Sequence, residues 1–407
     1  MTQQEAIDCM LAGNNVFLTG APGAGKTYTL NRFIEQAEDA GKNVAITAST
    51  GIAASHIGGI TIHSWSGLGI KEEVTKADLK WMEGQKRLVK RFQLTDVLVI
   101  DEVSMLHGYR LDMLNKVAKH MRNKDLPFGG MQVILVGDLF QLPPVNRESN
   151  VLDFVHLSDT WAELDLTVCY ITEQHRQGAD DLLLDLLQGM RDNKITSVHK
   201  KLLSNRLLNG ADNLTRLFSH NADVDTINQE KLDALPGKVK KYYMRSDGDK
   251  RAVEALRRNL LAPEILEIKV DAEVMFVANN FEAGFVNGTR GRVVKFKKGI
   301  PIVKTLDGRF IRVEPHEWKT KQDGITVATV EQLPIRLAWA ITIHKSQGMS
   351  LDAAIIDLSR AFMPGMGYVA LSRVRSLDGL YLQGINDEAL KMHEQIYDFD
   401  LKIRGMV

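Results

Sequence analysis

Residues 15 to 27 read Asn15-Val-Phe-Leu-Thr-Gly-Ala-Pro-Gly-Ala-Gly-Lys-Thr27. A short apolar run leads into the spacing Gly20-x-x-x-x-Gly25-Lys26-Thr27, and an amphipathic run follows over residues 30–37. Strand, glycine-rich turn and helix in this order are what a phosphate-binding loop requires. The stretch therefore predicts an α/β fold that begins with a nucleotide site.

This loop contains candidate ligands for a nucleotide. Glycines let the backbone approach the phosphates, and consecutive N–H groups at a helix N-terminus supply positive potential. Lys26 would reach the β- and γ-phosphates of ATP, and the Thr27 hydroxyl would ligate Mg²⁺. The backbone candidates are Gly20, Gly23 and Gly25. The alternative is a glycine-rich turn that binds nothing.

Composition limits the class of protein. The chain has 407 residues, 44% apolar and 25% charged, which predicts an ordinary globular protein of two to four domains. Its 51 basic and 51 acidic side chains cancel, so any nucleic-acid surface must be local. Two cysteines, no signal-peptide pattern and no membrane-length apolar run predict a cytoplasmic protein without a membrane partner.

Further polar residues follow predicted strands. Asp101 and Glu102 end the buried run 96–102, where Asp101 would hold Mg²⁺ through water and Glu102 would deprotonate the attacking water. Gln141 lies beyond the strand at 132–136, in position to sense the γ-phosphate. Because strands and helices alternate from 15 to 136, we expect a parallel sheet with these residues at its carboxyl edge.

Three stretches suggest contact with nucleic acid. Small hydroxyl residues and glycines at 47–54 and 58–64 suit strand phosphates, although they also fit a loop with a helix N-cap. Trp65 and Trp81 bracket a basic segment that suits stacking on unpaired bases, although most charged runs are solvated helix faces.

Gln4, just upstream of the phosphate-binding loop, could bind the adenine edge of a nucleotide or could face solvent.

The second half predicts another α/β sheet, from strands at 215–219, 337–342, 353–358 and 380–382. It has no second phosphate loop. Short alternating strands with Gly-containing turns between 273 and 327 predict a small β insertion within this domain.

Eight motifs in this order resemble superfamily 1 DNA helicases of the RecD-like branch, most closely the petite-integration-frequency (Pif) family. They are Gly20-x-x-x-x-Gly-Lys-Thr27, Thr47-Ala-Ser-Thr-Gly51, Thr61-Ile-His-Ser64, Asp101-Glu-Val-Ser-Met105, Gly137-Asp-Leu-Phe-Gln-Leu-Pro-Pro144, His175-Arg-Gln177, His344-Lys-Ser-Gln-Gly348 and Tyr368-Val-Ala-Leu-Ser-Arg373. The resemblance runs from about residue 3 to about residue 384.

The resemblance implies two RecA-like domains with ATP in the cleft between them. Domain 1A would comprise 1–63 and 92–164, with subdomain 1B at 64–91. Domain 2A would comprise 165–272 and 328–407, with an SH3-like subdomain 2B at 273–327. The chain would be a helicase core of the bacterial or phage type.

Site residues carry over from the matching motifs. Lys26 and Thr27 would bind phosphate and Mg²⁺, Asp101 would bind Mg²⁺, Glu102 would be the catalytic base and Gln141 the γ-phosphate sensor. Arg176 and Arg373 would be arginine fingers, and Gln4 would contact adenine. The residues implied for the single-strand path are Thr50, Gly51, His63, His344 and Lys345, with Trp65 added from the composition of the insert.

We therefore predict an ATP-dependent helicase that moves 5′ to 3′ on single-stranded DNA and acts at single-strand/duplex junctions. It would be a monomer when free and associated with the nucleoid. One alternative is a switch ATPase that does not translocate, and another is a nucleic-acid-binding module with an inactive ATP site. RNA strands also stay open as substrates, because sequence does not show how a 2′-hydroxyl is treated.

Overall fold

The computed structural model describes residues 1–69, 71, 73–144, 153–173, 181–207, 214–280, 282–285, 287–322 and 325–406. Its helices are α1 (Gln3–Leu11), α2 (Lys26–Asp39), α3 (Gly51–His56), α4 (Ile62–Ser66), α5 (Lys76–Glu83), α6 (Lys86–Leu94), α7 (Gly108–Arg122), α8 (Asp159–Glu163), α9 (Asp181–Arg191), α10 (Ser197–Ser204), α11 (Asn221–Ala234), α12 (Lys250–Asn259), α13 (Met366–Leu371) and α14 (Glu394–Ile403). Among the described residues, every helix is too short or too polar to cross a bilayer.

Within the described residues, the strands fall into five sheets. They are β1 (Val16–Gly20), β2 (Val44–Ala48), β3 (Ile60–Thr61), β4 (Val97–Asp101), β5 (Gln132–Val136), β6 (Thr167–Ile171), β7 (Thr215–Phe218), β8 (Lys240–Tyr243), β9 (Arg245–Gly248), β10 (Ile265–Ile268), β11 (Glu273–Phe276), β12 (Arg290–Lys297), β13 (Ile300–Thr305), β14 (Phe310–Arg312), β15 (His316–Gln322), β16 (Ile325–Gln332), β17 (Ile335–Leu337), β18 (Ala340–Thr342), β19 (Ala354–Leu358) and β20 (Leu380–Ile385).

The chain divides into two compact units, Met1–Gln177 with Glu394–Val407, and Gly178–His393. The first unit contains a six-stranded parallel sheet in the order β3-β2-β4-β5-β1-β6. Strands β1 and β4 are buried along their whole length, as parallel strands covered on both faces must be. The predicted parallel α/β sheet is confirmed.

Two segments belong to the first unit, which corrects the predicted domain boundaries. Strand β6 pairs in parallel with β1 over five residues, so the predicted boundary at 164/165 falls too early. Helix α14 packs Phe399 against His156, with ring centroids 4.4 Å apart, so the C-terminal segment also returns to this unit. The predicted insert at 64–91 is helical, built from α5 and α6 between α4 and β4.

The second unit combines a parallel sheet with antiparallel ones. Strands β18-β7-β19-β20 form the parallel sheet, which confirms the four predicted strands. The hairpin strands predicted from 273 onward form an antiparallel sheet in the order β14-β13-β12-β11-β17. This β region is larger than predicted, because β8, β9 and β10 precede residue 273 and β17 follows residue 327.

Candidate active site and nucleic-acid interface

The loop between β1 and α2 has the backbone shape that its glycines allow. Gly25 caps α2 with φ +86° and ψ 22°, a left-handed conformation that an L side chain adopts only with strain. A Cβ built on Gly25 would lie 2.1 Å from the Nε2 atom of Gln3. Glycine is therefore favoured here by the left-handed backbone, and a larger residue would also displace the Gln3 side chain.

Lys26 lies across this loop. Its Nζ atom donates to the carbonyl oxygens of Gly20 at 2.8 Å and Ala21 at 3.2 Å. An ammonium held by two loop carbonyls stands at the mouth of the loop, where the negative charge of a phosphate group would be neutralised. Thr27 follows in the first turn of α2 and is exposed.

Gln3, and not Gln4, contacts the phosphate-binding loop. The Nε2 atom of Gln3 donates to the carbonyl of Ala24 at 3.1 Å, whereas exposed Gln4 donates to Asp8 on its own helix at 2.8 Å. Gln3 is therefore better placed than Gln4 to lie beside a nucleotide, and the adenine contact itself stays a prediction.

The sequence signal that distinguishes Gln3 from Gln4 is the helical phase of α1. Residues Ala6, Ile7 and Met10 are the buried positions of α1. At 3.6 residues per turn, position 3 shares their face and position 4 does not.

Asp101 and Glu102 stand at the carboxyl end of β4. Asp101 is buried, and burial, reinforced by the negative charge of Glu102, raises its pKa to about 7. Glu102 donates its N–H to Asp101 Oδ1 at 2.8 Å, which together with nearby Lys26 opposes the rise in pKa. Because burial disfavours the charged form of the Asp101 carboxyl group, a cation bound beside it would stabilise that charged form.

Glu102 has a strained backbone. Its φ of 51° and ψ of 47° are left-handed, which is uncommon for a residue with a side chain and is concentrated at functional sites. Ser49, at the end of β2, fixes this turn: its Oγ donates to the Glu102 carbonyl at 2.6 Å and its N–H to the Asp101 carbonyl at 3.0 Å. Ser49 therefore positions Glu102. Ser49 lies in the motif Thr47–Gly51, which by itself did not predict this role.

Gln141 lies in a tight turn after β5. Asp138 is fully buried and accepts hydrogen bonds from the N–H of Phe140 through its side chain, at 3.2 Å, and from the N–H of Gln141 through its carbonyl, at 3.0 Å. Gln141 is thus held at the same sheet edge as Asp101. Its role as a γ-phosphate sensor stays a prediction.

The residues predicted to line the strand path in the first unit follow β2 and β3. Thr50 caps α3 by accepting from the N–H of Ala53 at 3.2 Å, and Gly51 begins that helix. His63 is half-buried in α4, where burial, followed by Arg110 and His107, lowers its pKa to about 4. His63 is therefore neutral near pH 7 and able both to donate and to accept a hydrogen bond.

Trp65 is buried, so its predicted base-stacking role is wrong. It is 4% exposed, and its ring centroid lies 4.6 Å from that of Phe92 in α6. Trp81, in α5, is 60% exposed and is the tryptophan of this insert that a nucleic acid can reach.

In the second unit, the predicted DNA residues lie in the turn after β18. Burial, followed by nearby His220, lowers the pKa of His344. Burial, followed by Arg336, lowers the pKa of Lys345. Both side chains are half-buried, so anion binding would relieve the burial of the lysine charge.

Arg373 follows α13 and is 5% exposed. Its guanidinium donates to the carbonyl of Val369 at 2.9 Å and to the carbonyls of Ser346 and Met349, each at 3.4 Å. It also donates to Ser372 Oγ at 2.7 Å. Arg176, the other predicted finger, lies outside the described residues, so both assignments stay predictions.

Comparison with known proteins identifies the family. The sequence model described as "PIF1-like helicase" matches residues 3–199. The "ATP-dependent DNA helicase Pif1" of Psychrobacter sp. is 42% identical over 96% of this chain and 69% of its own length. The chain belongs to the PIF1-like helicase family. It is an ATP-dependent DNA helicase, and hence an enzyme.

Solved structures of this PIF1-like helicase family agree with the fold. The Bacteroides sp. Pif1 structure in complex with ADP-AlF4 is 30% identical, has a TM-score of 0.87, and is covered over 99% of this chain and 96% of its own. The Bacteroides Pif1 structure bound to ssDNA is 29% identical with a TM-score of 0.67 over 99% and 96% of the two chains. The two units of this helicase are therefore RecA-like, as the motif order predicted.

Proposed function

We propose that this helicase hydrolyses Mg²⁺-ATP at the loop between β1 and α2 and moves 5′ to 3′ along single-stranded DNA. The observation that carries the proposal is the position of Lys26, held by the Gly20 and Ala21 carbonyls and close enough to Asp101 to stabilise its charged form. This arrangement concentrates cationic and anionic groups where a nucleotide and its metal would bind.

The residues fit a magnesium ion that shares its ligands with phosphate. Within the described ranges, no group of three His, Cys, Asp or Glu side chains could hold a metal alone. Mg²⁺ is commonly bound by one or two protein oxygens together with water and substrate phosphates. Thr27 and Asp101 would supply those protein oxygens, and the ion would neutralise charge on the phosphates. The raised pKa of Asp101 supports this reading, because a nearby cation would return the carboxyl group to its charged form.

Glu102 is the proposed general base. Its backbone, fixed by Ser49, holds the carboxylate next to Asp101 at the edge of the sheet. Gln141 would orient the attacking water or sense the γ-phosphate, and Gln3 would read the adenine edge in place of Gln4. The proposed fingers are Arg373 and Arg176.

The test of this site is Glu102→Gln. We expect the variant to bind Mg²⁺-ATP and DNA but to hydrolyse ATP at least ~10²-fold more slowly, which is the scale of one general base. Steady-state hydrolysis and fluorescent-nucleotide binding separate the two effects. Near-normal turnover would place the base elsewhere, and Lys26→Ala, which should also lose nucleotide affinity, is the companion variant.

The proposed DNA partners are single strands and single-strand/duplex junctions. In the absence of DNA, the protein is proposed to be a monomer. The relative bound to ssDNA supports binding to single strands. Thr50, Gly51, His63, His344 and Lys345 would contact the strand, and contacts to phosphates would let the motor move without reading sequence. A nucleoid-associated, cytoplasmic location follows from such a substrate.

Tailed duplexes distinguish this proposal from a switch ATPase that does not translocate. With ATP, a duplex carrying a 5′ tail should be unwound and one with a 3′ tail should not. Hydrolysis without unwinding of either substrate would favour the switch. RNA-tailed duplexes in the same assay report on the 2′-hydroxyl.

A further inference from the structure

A cavity of about 370 Å³ lies in the second unit, between the β insertion and the loop that follows the His344–Ser346 turn. Its charged lining consists of Arg290, Arg309, Arg375, Asp307 and Asp352. A Cβ built on Gly288, before β12, would lie 3.7 Å from the Ser350 carbonyl oxygen and 3.8 Å from Met349 Cβ. The insertion and the loop are therefore separated at Gly288 by about the width of one methyl group.

Arg290 is a buried cation with incomplete pairing. It is 5% exposed, and its Nη2 atom lies 3.6 Å from Glu273 Oε2. The other oxygen of Glu273 accepts from Arg292 Nε at 3.1 Å and Nη2 at 2.9 Å. One carboxylate thus serves two guanidinium groups. The Nε and Nη1 atoms of Arg290 are buried and have no hydrogen-bond partner in the part of the chain that the structure describes.

Buried donors without partners are costly, and a buried guanidinium cannot escape the cost by losing its proton. Around Arg290, the cavity rim carries two further arginines, Arg309 and Arg375, which pair with Asp307 and Asp352. Three arginines against two aspartates leave one net positive charge in the lining. The cavity is therefore complementary to an anion with several acceptor oxygens.

We propose that this cavity is a phosphate subsite, that Arg290 is its buried donor, and that the phosphate comes from the backbone of bound single-stranded DNA. The source is argued from position, because the 348–352 wall directly follows His344 and Lys345. This step rests on the proposed function. A free phosphate or nucleotide would satisfy the same donors, so the experiment distinguishes the two sources.

The experiment compares three full-length proteins: wild type, Arg290→Met and Arg292→Met. Arg292 is the matched control, because it pairs with the same carboxylate but does not line the cavity. Binding of a fluorescent oligothymidylate is measured over a salt series by anisotropy. Each phosphate contact on a single strand contributes ~0.7 to the slope of log affinity against log salt. We expect Arg290→Met to have a slope shallower by about 0.7 and to bind about tenfold more weakly. Arg292→Met should retain the wild-type slope.

The source is settled by a second measurement on the same proteins. Thermal unfolding is followed in inorganic phosphate and in chloride of equal ionic strength. A free-phosphate site predicts that phosphate raises the wild-type Tm but not that of Arg290→Met, with equal DNA slopes. Equal DNA slopes would overturn the DNA source in either case, and without a phosphate effect they would overturn the phosphate subsite as well.

Two outcomes need a separate variant or readout. If Arg290→Met unfolds, Arg375→Met replaces it, since that side chain is 61% exposed and lines the same cavity. The Arg375→Met variant should show the same loss of slope, and an unchanged slope would overturn the proposal. If the wild type fails to bind oligothymidylate, the proposed function fails, and the phosphate measurement still decides whether the cavity binds an anion.

Discussion

Replacing Trp65 and Trp81 in parallel tests which tryptophan of the helical insert supports the fold and which is free to meet DNA. Trp65 is 4% exposed and packs on Phe92. The Trp65 backbone carbonyl also accepts a hydrogen bond from Arg91 Nη1 at 2.6 Å. Both the side chain and the backbone of Trp65 therefore contact α6. Trp81 is 60% exposed on α5. The two residues therefore form a natural pair of test and control.

The expected magnitudes differ widely. Removing a fully packed tryptophan side chain typically costs ~3–5 kcal/mol of stability, because the lost contacts and the remaining cavity add together. An exposed substitution usually changes stability by no more than about 0.5 kcal/mol. The ring contact and the carbonyl hydrogen bond of Trp65 join α4 to α6, so we expect its loss to loosen residues 62–94 before the parallel sheet unfolds.

Hydrogen exchange of α4, α5 and α6 and urea unfolding are the assays for stability, and tailed-duplex unwinding and DNA-stimulated ATPase are the assays for function. Trp65→Ala should exchange faster throughout the insert and lose both activities together. Trp81→Ala should keep wild-type exchange and lose unwinding more than ATPase. A stable Trp65→Ala protein that loses only unwinding would refute the packing argument and return Trp65 to the DNA.

Three shorter predictions follow from the site. Gln3→Ala should weaken ATP binding about fivefold, the effect of one lost hydrogen bond, whereas Gln4→Ala should leave it unchanged; equal effects in nucleotide titrations would contradict the preference for Gln3 over Gln4. His63 has a pKa of about 4 when folded and an ordinary value when unfolded, so the unfolded state binds more protons and stability falls as the pH drops from about 6.5 towards 4. His63→Asn should make urea midpoints less dependent on pH in that window, and an identical profile would show that His63 does not contribute. Arg373→Lys should reduce DNA-stimulated hydrolysis by ~10³–10⁵, as for other arginine fingers, while circular dichroism shows a folded protein; wild-type turnover would exclude the role.

Much of the fold was predictable because its information is local. The buried runs of β1 and β4 consist of consecutive apolar residues, and each ends in a polar motif. In a parallel sheet all such ends meet at one edge, so Lys26, Asp101 and Gln141 could be grouped before any coordinates were known. The comparisons confirm the family, while the individual roles of these residues still await experiment.

The sequence-based predictions differ from the structure where a residue's contact lies far away in sequence, or where its position depends on the helical phase. Strand β6 could not be assigned to the first sheet because its partner, β1, lies near the other end of that unit. The burial of Trp65 depends on Phe92, which the basic composition of the intervening segment does not reveal. Gln3 and Gln4 are adjacent and chemically identical, so only the buried face of α1 distinguishes them.

In the second unit, hydrogen bonds connect the loop after the predicted DNA-binding residues to Arg373, the predicted arginine finger. The loop carbonyls of Ser346 and Met349 accept from the Arg373 side chain, and the N–H of Leu351 donates to the Arg373 carbonyl at 2.8 Å. This loop directly follows Lys345 in the predicted strand path. A strand that displaces the loop must therefore move Arg373 with it or break these bonds. One nitrogen of Arg373, Nη1, donates to both loop carbonyls, while Nε donates to the Val369 carbonyl and Nη2 to Ser372 Oγ. Lysine would keep the charge but has a single ammonium group, which cannot donate from all three of these positions. DNA stimulation of hydrolysis should accordingly depend on the shape of the guanidinium group as well as on its charge.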